Sequence, residues 1–155
     1  MRLEYFQLID RITELRLADR SIRTEGTVPT TSTIFEGHFP GYPLMPGALL
    51  IEAMAQTAGW LVIAATGFRR MPFLAAVKQA KLRTFVNPGE TLSLSAELVH
   101  EGSGFAMTKA KARTDKPICD AEITFKLLDF PNDEFRARMD EWAMRLQFPR
   151  EALNA

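Results

Sequence analysis

The chain carries a single cysteine, Cys119, in 155 residues. An internal disulfide is therefore impossible. With only two histidines, His38 and His100, no zinc set can be assembled without carboxylates. Net charge is lacking too: nineteen Lys and Arg balance nineteen Asp and Glu. That removes any global electrostatic argument for nucleic acid or a membrane surface, so a charged partner must be sought in local patches. Repeats and low-complexity linkers are absent, and the length suits one main domain. Only one apolar run approaches the length of a bilayer, ALLIEAMAQTAGWLVIAA from Ala48 to Ala65. Glu52 and Gln56 interrupt it, and an acid at mid-membrane costs about 3 kcal/mol. The run reads instead as a buried core helix. The N-terminal MRLEYFQLIDRITEL has charges every few residues, unlike a signal or transit peptide. Together with the lone cysteine this points to the cytoplasm.

The remainder divides by period. Met1 to Leu15 places Leu3, Phe6, Ile9 and Ile12 at helical spacing, an amphipathic start. Ser21 to Phe35 is β-favouring through Ile22, Val28, Thr30, Thr31 and Ile34. Pro46 suits the start of the long helix, and Gly67 its left-handed end. Four strand-like runs follow: Met71 to Phe85, Thr91 to His100, Phe105 to Arg113 and Ile118 to Phe130. NPGE, EGSG and TDKP supply turn chemistry between them. Such short connections predict antiparallel neighbours. From Asp133 to Gln147, Phe135, Met139, Trp142 and Leu146 form one helical stripe. A helix apolar all round must be surrounded, and the available partner is the antiparallel sheet. The expected class is α+β: a hot-dog fold over residues 1–130, its long helix wrapped by a curved sheet, with an amphipathic helical extension over 131–155. One sheet around one helix leaves a side open, so pairing of two copies is expected.

The chemistry gathers in GHFPGYPLMPGALLIEAMAQ, Gly37 to Gln56. Proline has no N–H, so Gly47 supplies the first free donor at the helix start, and the dipole reinforces it. That suits an oxyanion, though Pro-Gly also simply starts helices. Glu52 lies farther in, with Gln56 at i+4 to hydrogen-bond and orient it. Apolar surroundings favour a protonated carboxyl, which suits an acid catalyst; a structural carboxylate paired with a base is the other reading. His38 sits in a loop stiffened by prolines, able to present an imidazole as base or simply to face solvent. His100, beside Glu101, reads as surface. No close-spaced pair among His38, Glu52 and His100 suggests a metal.

This stretch resembles the signature of the (3R)-hydroxyacyl-acyl-carrier-protein dehydratases of bacterial fatty-acid synthesis, in their FabZ-like branch. LIDRITEL (Leu8 to Leu15) resembles that family's LVDRVLEL-type segment, and FLAAVKQAKLRTFVNPGETLSL (Phe73 to Leu94) its second block. The resemblance implies a cofactor-free hydro-lyase acting on a 3-hydroxyacyl thioester of acyl carrier protein. His38 is then the base, Glu52 the acid, and Gly47 N–H the donor to the thioester carbonyl. It also implies a homodimer, commonly a trimer of dimers, in which His38 of one copy meets Glu52 of the other. Glu52, where the isomerising sister branch has Asp, favours dehydration alone. RLEYFQ (Arg2 to Gln7) replaces the family's PHRYPF, which moves or removes the tyrosine gate at Tyr5. Leu82 stands where a bulky Phe often lines the acyl tunnel; Phe85 is a further lining residue. The basic residues Arg69, Arg70, Lys78, Lys81 and Arg83 form a dock for an acidic carrier, or else a solvated strand edge. A hot-dog thioesterase and an idle acyl-binding subunit are the competing functions.

Overall fold

Strict alternation in Thr91–Leu98 and Met107–Arg113 gives strands with one apolar and one polar face, and the structure uses both. The computed structural model describes residues 1–154. Six strands form one antiparallel sheet: β1 (Arg11–Arg16), β2 (Ser21–Thr27), β3 (Met71–Leu82), β4 (Thr91–Gly102), β5 (Phe105–Arg113) and β6 (Pro117–Leu128). Their order is β1-β2-β4-β5-β6-β3, so β1 and β3 are the edges. The alternating residues Leu92, Leu94, Ala96 and Leu98 of β4 are buried, as are Ala106, Thr108, Ala110 and Ala112 of β5. On the outer face Lys109 is opposed by Glu97 and Glu122, and Lys111 by Ser95 and Asp120.

That inner face wraps the helix α2 (Gly47–Ala65), of which thirteen of nineteen residues are buried. By length and apolarity α2 could cross a bilayer, yet here it is the core of the fold. Pro46 is its N-cap, and Gly67 takes the left-handed conformation just past its end, φ 61°. Thr57 locks helix to sheet: its hydroxyl donates to Ala53 O (3.0 Å) and lies 2.7 Å from Thr24 Oγ1 of β2. The arrangement is the expected hot-dog.

Two expectations need correction. The amphipathic start is not helical beyond a 3-10 turn at Leu3–Tyr5; Phe6 is left-handed (φ 53°), and the chain then enters β1. The segment is instead held by distant partners, with Leu8 N–H donating to Gln56 and Asp10 N–H to Glu25 O. The strand expected from Ser21 to Phe35 stops at Thr27, and Thr33–Gly37 forms a short helix, α1. Its donors are met from outside the strand pattern: Ser32 Oγ accepts from Ile34 N, and Glu4 accepts from Ser32 Oγ and Thr33 N.

The predicted C-terminal helix forms as α3 (Asp133–Arg145), capped by Asn132 Oδ1 accepting from Phe135 N at 2.7 Å. Met139, Ala143 and Leu146 join the main core. Trp142 meets Trp60 of α2 edge-on at 6.4 Å, and Phe148 meets Phe68 edge-on at 5.0 Å. Leu146 O accepts from Ile12 N, and Arg145 donates to Gln7 Oε1. The last residue of the expected extension, Ala155, lies outside the described residues.

Candidate active site

His38 is placed by backbone bonds that leave its loop little freedom. Its own N–H donates to Ile34 O, its carbonyl accepts from Leu44 N, and Phe39 and Tyr42 exchange two bonds. The His38–Phe39 peptide bond is cis. Most informative is the ring: Nδ1 lies 2.9 Å from Leu44 O. A carbonyl only accepts, so Nδ1 carries a hydrogen, and in the neutral ring the lone pair falls on Nε2, the form required of a base.

Gly47 lies beside it. Pro46 O accepts from Leu49 N and Leu50 N, while Gly47 N–H has no acceptor among the described residues. A Cβ at Gly47 would come 3.0 Å from Leu82 Cδ2, tighter than ordinary contact. The absent side chain therefore keeps both the donor and the space before it open. His38, Gly47, Leu50, Leu82, Arg83 and Phe85 share a cavity of about 440 Å³.

Glu52 opens elsewhere. Five residues along a helix turn the direction by roughly 140°, so Glu52 faces away from the Gly47 end. It lies half-buried at a second cavity of about 290 Å³, with Gln56, Gly59, Trp60 and Ile63 of α2. Gln56 Nε2 donates to Glu52 Oε1 (3.1 Å) and to Phe6 O (2.6 Å), and Gln56 Oε1 accepts from Leu8 N (3.2 Å). The amide is thus a junction: it orients the carboxylate and ties α2 to the N-terminal segment. Sequence spacing suggested the first contact; nothing local in the sequence announces the second.

The remaining expected residues scatter. Leu82 and Phe85 line the His38 cavity, not the Glu52 cavity. Tyr5 lines neither; its exposed ring lies under the Arg2 guanidinium, 4.1 Å away, and Phe6 reaches the Glu52 cavity in its place. Arg69 and Arg70 precede β3 while Arg83 follows it. Twelve residues at ~3.3 Å each put them up to roughly 40 Å apart, so the basic residues are not one patch on a single chain. Arg70 pairs with Asp129 at 2.6 Å, Arg83 pairs with Asp120, and Lys78 and Lys81 are exposed.

The two cavities flank the two ends of the free edge strand. Met71, Pro72 and Leu74 at the start of β3 border the Glu52 cavity; Leu82 at its end borders the His38 cavity. Among the described residues the strand has β6 on one side and no neighbour on the other. It exposes Phe73, Leu74 and Leu82 by 42, 51 and 51%.

Residues 2–122 match the model of the FabA-like domain. The chain is 40% identical over 119 residues to the 3-hydroxyacyl-[acyl-carrier-protein] dehydratase FabZ of Levilactobacillus brevis, covering 76% of this chain and 80% of that one. Against the enzyme of the same name from Clostridium acetobutylicum it is 37% identical over 123 residues, 78% and 86% of the two chains. Among solved structures, a conserved protein of Pseudomonas aeruginosa superposes with a TM-score of 0.63 at 21% identity, covering 81% of this chain and 91% of that one. A hypothetical thioesterase of Streptococcus pneumoniae, solved with coenzyme A, gives 0.61 at 14%, covering 79% and 90%. At such identities the structural likeness speaks for the fold alone.

Proposed function

The chain belongs to the FabA-like family, and on that footing we propose that it removes water from (3R)-hydroxyacyl-[acyl-carrier-protein] to give the trans-2-enoyl thioester. The thioester carbonyl accepts from Gly47 N–H, which lowers the cost of charge building on that oxygen. His38 Nε2 takes the α-proton. Glu52, held by Gln56, gives its proton to the β-hydroxyl, which leaves as water. Both steps are proton transfers between side chains and substrate.

The observation that carries this reading is the placement of the two half-sites at opposite ends of β3. A two-fold axis that pairs this edge with itself, antiparallel, lays the start of one copy's strand beside the end of the other's. Glu52 of one copy then meets His38 and Gly47 of the second, and the pair carries two complete sites. The same pairing brings Arg69 and Arg70 of one copy toward Lys81 and Arg83 of the other. That restores a basic rim for an acidic carrier protein, with Lys78 along the strand. We place the enzyme in the cytoplasm with its carrier.

The thioesterase reading draws only on fold likeness. One assay separates the alternatives: incubation with a 3-hydroxyacyl carrier-protein thioester. Enoyl product supports dehydration, free carrier thiol supports a thioesterase, and neither product supports a binding subunit.

A further inference from the structure

Connectivity of the substrate, on the proposed reading, fixes which way it lies. Its carbonyl carbon sits at Gly47, its α-carbon at His38 and its β-carbon at Glu52. Every carbon beyond the β-position must therefore continue past Glu52, while the sulfur and the pantetheine arm run back from the carbonyl, through the cavity of Leu82 and Phe85. The space past Glu52 is the 290 Å³ cavity, which narrows the acyl seat to the Glu52 side.

That cavity is walled on one side by Gly59, Trp60 and Ile63 of α2 and on another by Phe135, Met139 and Trp142 of α3. The second wall lies outside residues 2–122, the span of the family domain. It is fixed firmly: Met139 and Leu146 are buried, Trp142 packs on Trp60, and Phe135 lies 6.4 Å from Phe130. We infer that α3 is the acyl-chain gauge of this enzyme, with Phe135, Met139 and Trp142 setting how many carbons fit beyond Glu52. The inference rests on the dehydratase reading only for the direction of the chain; the cavity and its walls are independent of it.

The test compares kcat/KM for wild type and two variants over a series of 3-hydroxyacyl carrier thioesters from short to long. Phe135→Ala opens the α3 wall. It raises the long-to-short ratio, each newly buried methylene being worth roughly fourfold. Gly59→Val fills the cavity from the opposite wall, where a Cβ meets nothing nearer than Pro72 Cγ at 3.7 Å. It lowers the same ratio while the protein stays folded by thermal unfolding. An unchanged ratio in both folded variants overturns the gauge. A second readout needs no turnover. Both tryptophans of the chain, Trp60 and Trp142, line this cavity. In a His38→Ala background, an acyl-pantetheine thioether brominated near its methyl end quenches their fluorescence, and Gly59→Val weakens the quenching. Wild-type turnover without quenching also overturns the proposal. Quenching with no enoyl product at any chain length would sink the dehydratase reading while upholding the acyl seat.

Discussion

Replacing Gln56 by Leu keeps the volume and deletes three hydrogen bonds at once. Leu8 is fully buried, and its N–H loses its acceptor, a cost of about 1–3 kcal/mol for an unsatisfied buried donor. Phe6 O loses a donor at 2.6 Å, but Phe6 is 55% exposed and water can replace part of it, so this adds about 1 kcal/mol. The sum, roughly 2–4 kcal/mol, lowers Tm by roughly 5–15 °C for a chain of this size. The third bond is the one to Glu52. Without it the carboxyl swings freely, and a misplacement of about 1 Å costs on the order of 10² in rate. The loss falls on kcat more than KM, because the substrate contacts proposed at Gly47 and in the Glu52 cavity are left intact. Gln56→Glu supplies the control that a purely structural role does not answer to. The introduced carboxyl faces Glu52 and the Phe6 carbonyl, so its pKa is raised in the folded protein. Below that pKa it is protonated and donates one bond where the amide donated two, so activity and stability recover in part as pH falls. Above it both are lost. The measurements are thermal unfolding and kcat against pH for both variants. A Tm within about 2 °C of wild type together with unchanged kcat for Gln56→Leu would refute the role assigned to this amide.

Four further outcomes are expected. His38→Ala and Glu52→Gln each lower dehydration by roughly 10²-fold or more with unchanged melting; mixed under conditions of proven subunit exchange they regain activity, and no regain counts against a shared site. Gly47→Ala folds, because Leu82 Cδ2 is a flexible end that can shift from a Cβ at 3.0 Å, but the methyl occupies the space before the N–H; kcat/KM falls at every chain length, and wild-type activity would dismiss the oxyanion role. Leu82→Phe depresses short and long substrates alike, since the proposed direction of the substrate puts Leu82, which lines the His38 cavity, at the thioester end; selective loss of long chains would return Leu82 to the acyl seat. Glu4 has its pKa lowered to about 2, chiefly by the Ser32 hydroxyl. A depressed carboxylate adds stability above its unfolded pKa and loses it as pH falls through the folded one, so Glu4→Gln flattens the stability profile between about pH 4.5 and 2 in acid titrations followed by unfolding.

What could be read from the sequence was what is encoded locally. Pro46 and Gly67 bound α2, and alternation with turn residues gave β4, β5 and β6 to within a few residues. The first fifteen residues misled because Leu3, Phe6, Ile9 and Ile12 share helical spacing, yet the segment is shaped by Gln56 and Glu25, far along the chain. Thr30, Thr31 and Ile34 carried β propensity into a segment whose conformation is decided by the Ser32 cap and by Glu4. At the site, residue types and spacing named His38, Gly47, Glu52 and Gln56. The ring proton of His38 depends on Leu44 O, the separation of the cavities on the turn of α2, and the basic residues' spread on the length of β3. None of these is a property of residue identity.

A site shared across the β3 edge, as proposed, ties catalysis to mass action. If half of each site arrives with a second chain, the active species is second order in protein, and specific activity must fall on dilution toward the dissociation constant of the pair. A preparation assayed far below that concentration looks like a poor enzyme although every residue is in order. Activity per chain plotted against chain concentration then measures an association constant, and a substitution midway along that edge and outside the lining of both cavities, at Val77 for instance, shifts the curve without altering its plateau.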